Sequence, residues 1–549
     1  MENKVKLKFN IMAVILIAIF AISVTPITLQ NDTFYTIKIG EYILENGITM
    51  QDPFSWHENL PYTFPHWAYD VATYLVYNAG GYLGIYIATC ALSALLGIAV
   101  YFTNTKLTKN NLISFVLTIG VIYLLKDYIA ARAQLVTFTL FILTIFFIEK
   151  FLETKKKRYA AGLIIIPIII ANIHLAVWPF YFILFMPYIA EYIISNLLVV
   201  DIYFRNYKIK KLRKQLLKET LVEKTEELKS KIESLEKNNE NSKNRREKID
   251  NNAYKLVVRK NDNVKWLIII MMICIFTGLL TPLHGTPYTY LIKTMEGNTT
   301  QFINEHLPLT LINDVPFMIV IIFFLAILLF TDTKIKLCDF FMIAGLLLLS
   351  FKTRRQTSMY ILIGSVVLNR LITTWFSKYD RNGVTQFTKL MVSWMGKIIT
   401  IMVMAILTIP MINSHIGNTF IDEAAYPTKA AEFIKENIDM SQMRLYNEYN
   451  YGSYLLMQDI PVFIDSRADL YTPEFNGTED IFSDFIDTNN IGVYYELKFE
   501  EYKITHVILQ KNTKLNMFIS RDEKYKELYS DSYFVIYERG VQEWKKKRG

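Results

Sequence analysis

Long apolar runs, separated by short Lys-rich pieces, recur from the N-terminus to residue 412. A helix needs roughly 20 apolar residues to cross the hydrocarbon core of a bilayer. The pattern predicts about eleven spans, near residues 9–29, 81–103, 110–127, 135–151, 160–176, 178–200, 265–283, 316–331, 336–351, 357–375 and 396–412. The fifth and sixth meet tightly at Asn172–His174. From Asn413 onward the pattern changes. Helical spacing appears at Pro427–Asn437, Tyr451–Met457, Phe482–Thr488 and Val493–Tyr502. Strand-like runs appear at Met443–Tyr446, Pro461–Ile464, Thr505–Leu509 and Tyr533–Tyr537. Strands alternating with helices argue for a small sheet covered by helices. The expected architecture is an α-helical polytopic membrane protein: a transmembrane domain over 1–412 and an extracytoplasmic α/β domain over 413–549.

Composition agrees, with 52% hydrophobic residues and a mean hydropathy of +0.23. Basic residues mark the cytoplasmic side of a membrane. Lys4, Lys6 and Lys8, then Lys106 and Lys109, Lys155–Arg158, Lys334 and Lys336, and Arg370–Lys389 all fall on one side under this span count. The N-terminus is therefore expected in the cytoplasm of a multi-pass plasma-membrane protein, with the first span an uncleaved anchor. The first loop, 30–80, and the C-terminal domain then lie outside. Cys90, Cys274 and Cys338 sit in or beside spans, so no disulfide framework supports that domain. It is expected to be stable through its own core, for which about 135 residues suffice.

The net charge is +8, and segment 203–264 holds 18 Lys/Arg against 10 Asp/Glu, so the excess belongs to this one insert. Its mixed signs and sparse aromatics do not point to nucleic acid. Leu221, Leu228 and Leu235 recur every seven residues, which fits a helical hairpin or short coiled coil. Such an insert reads as a solvated helical arm near anionic lipid heads, or as a platform for a cytoplasmic partner.

The first loop carries the densest chemistry. It reads DTFYTIKIGEYILENGITMQDPFSWHENLPYTFPHW from Asp32 to Trp67. Acidic residues and two histidines, His57 and His66, crowd a membrane surface there. Arg132 and the pair Arg354–Arg355 are predicted on that same side, against the positive-inside trend. Arginine binds phosphate bidentately, and an anionic ligand would explain their place. Each residue also has a structural reading. Asp32 can cap a helix over Thr33–Leu44. Asp52–Pro53 can be turn chemistry. His57, His66 and His174 can be hydrogen-bonded struts, Arg354 and Arg355 can pair with Glu305, and Asp465 with Arg467.

The order of these pieces resembles bacterial polytopic proteins of the GT-C glycosyltransferase superfamily. The matching pieces are Asp32, the run Gly40 to Ser55 ending in Asp52-Pro53-Phe54-Ser55, Arg132-Ala133-Gln134, Asn172-Ile173-His174, Asn304-Glu305-His306 and Arg354-Arg355. In the C-terminal part, Asn447-Glu448-Tyr449-Asn450-Tyr451-Gly452-Ser453 and Phe463-Ile464-Asp465-Ser466-Arg467 are similar to the external domains of these proteins. The first of these distantly resembles the WWDxG block of oligosaccharyltransferase catalytic subunits. The resemblance implies a sugar donor carried on a polyprenyl phosphate. It implies Asp32 as general base or ligand of a divalent metal such as Mg or Mn. It also implies a substrate-binding set of Arg132, Arg354, Arg355, His57, His66, Asn172, His174, Glu305, Glu448 and Asp465. Two departures matter. A single acidic residue stands at Asn31-Asp32 where many relatives carry two, and Glu448 and Asn450 stand where WWD would be.

The expected function is transfer of that sugar to an extracytoplasmic glycan, lipid or protein acceptor. A flippase for a lipid-linked glycan and a catalytically silent scaffold are the alternatives. Transporters show internal repeats and polar groups at mid-membrane. Here polar residues cluster at span ends and no repeat is seen.

Overall fold

The computed structural model describes residues 2–197, 200–217, 222–251, 255–380 and 382–540. Helix α1 (Glu2–Ser23) buries Phe9, Ala13, Ile17, Phe20 and Ala21 and exposes Leu7, Ile11, Ile15, Ile19 and Ile22. A helix that is apolar on both its packed and its open face belongs in lipid. The same holds for Trp394–Asn413, where Ile399, Ile401, Met402, Val403, Ile406 and Ile409 are all exposed.

Six stretches are long and apolar enough to cross a membrane: Lys4–Ser23, Trp67–Thr108, Ala133–Thr154, Leu175–Leu197, Arg354–Tyr379 and Trp394–Asn413. Shorter apolar helices cover Asn111–Leu124, Val264–Leu279 and Val315–Phe330. This is the make-up of a helical membrane protein.

Helix α2 (Asn31–Asn46) fills the first loop and packs along the start of α3 (Trp67–Thr108). The long α3 is bent at Gly81, whose backbone (φ 59°, ψ −152°) suits only glycine. Its first arm lies against α2, and its second joins α1, α4 (Asn111–Leu124), α5 (Ala133–Thr154) and α6 (Lys157–Ile173) in the apolar bundle.

The basic insert is a helical hairpin, Val200–Leu216 against Val222–Asn251. Arg213 pairs with Glu236 at 2.7 Å, and Asn239 bonds Asn206 at 2.8 Å. Of the leucine repeat, Leu221 lies outside the described residues; it is Ile209 and Ile232 that are buried. After the hairpin, β1 (Leu256–Val257) pairs in parallel with β2 (Ile335–Lys336).

The C-terminal part holds a four-stranded mixed sheet of β3 (Leu445–Tyr446), β4 (His506–Gln510), β5 (Tyr525–Ser530) and β6 (Phe534–Arg539), in the order β3-β4-β6-β5. β3 and β4 run parallel, and the crossover between them carries helices Tyr449–Met457, Ile481–Asn489 and Tyr495–Glu501. β5 and β6 form a hairpin.

Two sequence expectations differ here. Pro461–Ile464 is not a ladder strand; Val462 makes a single bridge, to Ser55 of the first loop. β5 was not expected, because its Lys526 and Glu527 sit on an edge strand open to solvent and break the apolar alternation. A third difference concerns the core. The C-terminal unit shares its core with the first loop rather than closing on itself: Phe34 of α2 packs edge-on against Tyr426 at 4.9 Å and Tyr454 at 5.2 Å.

Candidate functional site

Arg132 stands just before α5 in extended backbone, and its side chain reaches the first turn of α2. Its Nε donates to Asp32 Oδ2 at 2.6 Å, its Nη2 donates to the same oxygen, and its Nη1 meets Glu305 Oε1 at 3.2 Å. Asp32 is therefore no helix cap; Gln30 holds that position. Burial pulls the Asp32 carboxyl upward, but the Arg132 guanidinium, aided by Ser466 and Arg355, outweighs it and holds Asp32 below the usual carboxylate range. Asp32 is ionised at neutral pH, and Arg132 is held firmly charged against its own burial by Asp32 and Glu305.

These groups line a cavity of about 870 Å³. Its walls come from α2, the 61–66 turn, the entrance to α5, the segment from His174, the 290–308 segment, the turn at Lys352–Gln356, and residues 449–450 and 466–470. Of the residues expected from sequence, Asp32, His66, Arg132, His174, Glu305 and Arg355 all line it. The backbone brings them there. Arg355 N–H donates to Glu305 C=O at 3.0 Å and Arg354 N–H to Leu307 C=O at 3.0 Å, so the loop before 315 is laced to the turn after Lys352. Leu175 N–H donates to Pro65 C=O at 3.0 Å, which sets His66 and His174 side by side with ring centroids 5.0 Å apart.

His66 is pushed down to about 4, chiefly by burial, with Arg355 and Arg132 adding to the effect against Asp32, so it is neutral at physiological pH. His174 Nδ1 and Thr137 Oγ1 are hydrogen-bonded at 2.9 Å. Glu305 is committed to Arg132. Arg355 is different: no side chain among the described residues forms an ion pair or hydrogen bond with its guanidinium, although it faces the cavity.

The remaining expected residues lie off the cavity wall. His57 donates from Nε2 to Phe463 C=O at 2.8 Å and is stacked on Trp56. Asn172 donates to Ile168 and Leu280 carbonyls and accepts from Trp67 Nε1 at 3.1 Å, tying three elements together. Arg354 turns its Nε toward Pro308 C=O at 3.4 Å. Glu448 sits at the start of helix Tyr449–Met457, and burial pushes its carboxyl up to about 7. Asp465 is fully buried, taking Arg467 at 2.9 and 2.7 Å and Tyr471 Oη at 2.6 Å.

Sequence reasoning did not single out the wall residues Lys352, Tyr290 and Asp469, and quoted His306 and Ser466 only within motifs, without a role. For Asp469 a signal existed. Polar side chains at 465, 467 and 469 interrupt an apolar run, and Arg467 and Asp469 both reach the wall.

A divalent ion does not fit these donors. Both Asp32 and Glu305 are turned onto the Arg132 guanidinium. No group of three or more His, Cys, Asp or Glu among the described residues is placed to hold a metal. The donor set thus offers Asp32 an arginine rather than Mg or Mn as its partner.

Chemically, one cavity holds the Asp32–Arg132–Glu305 cluster together with Arg355 and Lys352, two cations that form no ion pair among the described residues. No known family model matches this chain, and a search of curated proteins finds none similar to it.

Proposed function

We propose that the protein is a membrane glycosyltransferase of GT-C type, moving a sugar from a polyprenyl-phosphate-linked donor to an extracytoplasmic glycan, lipid or protein acceptor. The observation that carries this reading is the pairing pattern within the cavity. Asp32 and Glu305 are neutralised by Arg132, while Arg355 and Lys352 line the same cavity without an ion pair among the described residues. Arg355 is half-buried, where a charge without a partner is costly, whereas Lys352 is exposed; a lipid phosphate supplies a partner for both. An arginine can hold that phosphate while charge develops on it as a leaving group.

The reading carries a topology with it. The three shorter apolar helices, together with α6 and helix Leu337–Lys352, bring the six long stretches to about eleven spans, the N-terminus lies in the cytoplasm of the cell membrane, and the C-terminal α/β unit forms an extracytoplasmic domain over the cavity. Apolar wall residues such as Leu291, Met295 and Phe180 then face the carrier chain.

The test is incubation of the purified chain in nanodiscs with a panel of radiolabelled polyprenyl-phosphate sugars. Cleavage of the sugar–phosphate bond is expected. Passage of intact labelled lipid between leaflets in vesicles, without cleavage, would mean a flippase instead. Absence of binding across the panel would remove the lipid donor altogether.

A further inference from the structure

We propose that Asp469, rather than Asp32, accepts the proton of the acceptor hydroxyl. This assignment rests on the transferase reading above and names the group that would do its proton chemistry.

The geometry separates the two carboxylates. Asp32 Oδ2 is gripped by two N–H groups of one guanidinium, and Arg132 spans from it to Glu305. A carboxylate held in such a fork is a stable anion and a poor proton acceptor. Asp469 follows the buried Asp465–Arg467 pair and lies on the cavity wall contributed by the C-terminal unit. Its Oδ2 accepts from Tyr290 Oη at 2.9 Å and from Thr294 Oγ1 at 3.2 Å, both neutral hydroxyls. No cation among the described residues bonds it, and its Oδ1 has no hydrogen-bond partner there. Both hydroxyls come from one face of helix Thr286–Glu296, one turn apart, so the carboxyl is fixed in orientation with one oxygen left for a substrate.

Charge supports the same division. Burial raises the Asp469 carboxyl above its ordinary range, with Tyr290, Thr294 and Arg355 drawing it part of the way back. Asp32 moves the other way. A general base works best when its proton affinity approaches the operating pH, and two carboxyls whose surroundings push them apart divide the roles between them. Arg355 lines the same cavity, and its charge draws both carboxyls downward.

The step balances as follows. The acceptor O–H proton passes to Asp469 Oδ1 while the acceptor oxygen bonds to the anomeric carbon. The bond from that carbon to the phosphate oxygen breaks. Its electron pair leaves on the lipid phosphate, whose added charge meets Arg355 and Lys352. Asp469 then returns its proton to water.

The full chain in nanodiscs, with a radiolabelled polyprenyl-phosphate sugar as probe, provides the test. Asp469→Asn is expected to bind the probe within about twofold of the wild type while sugar release falls about 100-fold or more. Tyr290→Phe removes a donor that stabilises the carboxylate, so the acidic limb of the rate–pH profile moves to higher pH. A purely structural contact would leave that limb in place. A wild-type rate in Asp469→Asn overturns the assignment. A second measurement needs no turnover and no variant. Carbodiimide modifies protonated carboxyls, so Asp469 is expected to label at pH values where Asp32 no longer reacts, and the reverse order overturns the proposal. If the wild type neither binds nor cleaves the probe, the transferase reading fails, and the catalytic role of Asp469 fails with it even where the labelling order holds.

Discussion

Arg467 and Asp52 lie 415 residues apart and form a 2.6 Å ion pair with side chains 2% and 0% exposed. The remaining guanidinium nitrogens go to Asp465, and the rings of Phe54 and Tyr62 lie at 5.3 and 4.8 Å from its centre. Asp52 is further held by the N–H of Ser55 at 2.9 Å. The first loop and the C-terminal unit are thus pinned by one buried cation shared between two carboxylates. Trp56 Nε1 adds a bond to Leu445 C=O at 2.9 Å, and Asn31 Nδ2 one to Tyr449 C=O at 2.9 Å.

Removing the shared cation strands two buried carboxylates. Breaking a buried pair in this way costs about 3–5 kcal/mol. Arg467→Ala is therefore expected to lower resistance to denaturant by that order and to expose the 50–62 loop to protease. A loss below about 1 kcal/mol, the range of a surface pair, would show that the loop is held by other contacts.

Stability should fall in mild acid. His57 is pushed down to about 4 by burial, as are His66 and His306. In the unfolded chain they titrate near 6.5 (about the reference value). The folded state keeps them neutral, so their contribution is fully present above that pH and is lost as pH falls toward 4. Each contributes up to about 3 kcal/mol. Asp52 responds only later. Burial raises it, but Arg467 and Ser55 prevail and hold it low, so its share persists until pH drops below the ordinary carboxylate range. Denaturant midpoints between pH 7 and 4 check this, and His57→Gln should make the decline shallower. A flat profile over that interval would contradict the neutral buried histidines.

Asp32, Arg132 and Glu305 should behave as one unit. Asp32→Asn and Arg132→Gln are each expected to damage the site, and the double variant to be much less than their sum. A double-mutant cycle on stability should return a coupling of about 1–3 kcal/mol. A coupling near zero would mean that the pair does not form in the membrane.

Gly452 approaches the backbone of the 461–467 segment. A Cβ there would collide with Ile464 C=O, so Gly452→Ala is expected to destabilise by about 1–3 kcal/mol or more. Gly120 in α4 has nothing within 4 Å of the same position, and Gly120→Ala should be neutral or stabilising by up to about 1 kcal/mol. Equal effects from the two would remove the close approach as the cause.

The helical hairpin should be dispensable for folding. Its two helices bond to one another through Arg205–Asn238, Asn206–Asn239 and Arg213–Glu236. Replacing 205–251 with a short Gly/Ser linker is expected to leave membrane insertion and detergent stability intact, since β1 and Lys255 remain to bond β2 and Thr331. Aggregation of the deleted chain would assign the hairpin a structural role.

Much of this molecule is written in local pattern. Long apolar runs declare helices that belong in lipid, because the hydrocarbon core sets their length. The 3.6-residue spacing in Thr428–Asn437 and Ile481–Asn489 and the apolar runs of β4 and β6 are likewise legible within one or two residues. The crowding of charge in the first loop marks where chemistry lies, since ionisable groups at a membrane surface need partners. What the sequence could not decide is which partners they take. Asp32 reads equally as cap, base or metal ligand, and only the approach of Arg132 across 100 residues turns it into half of an ion pair. His57 and His66 look alike in sequence, yet one braces Phe463 and the other faces the cavity. Arg354 and Arg355 are neighbours on a single 3-10 turn that points them apart. Asp469 is a wall residue whose partners, Tyr290 and Thr294, lie more than 170 residues away in the chain. The cause is the same in each case. Secondary structure follows from interactions a few residues apart, whereas a buried charge is placed by whichever opposite charge the folded chain brings to it.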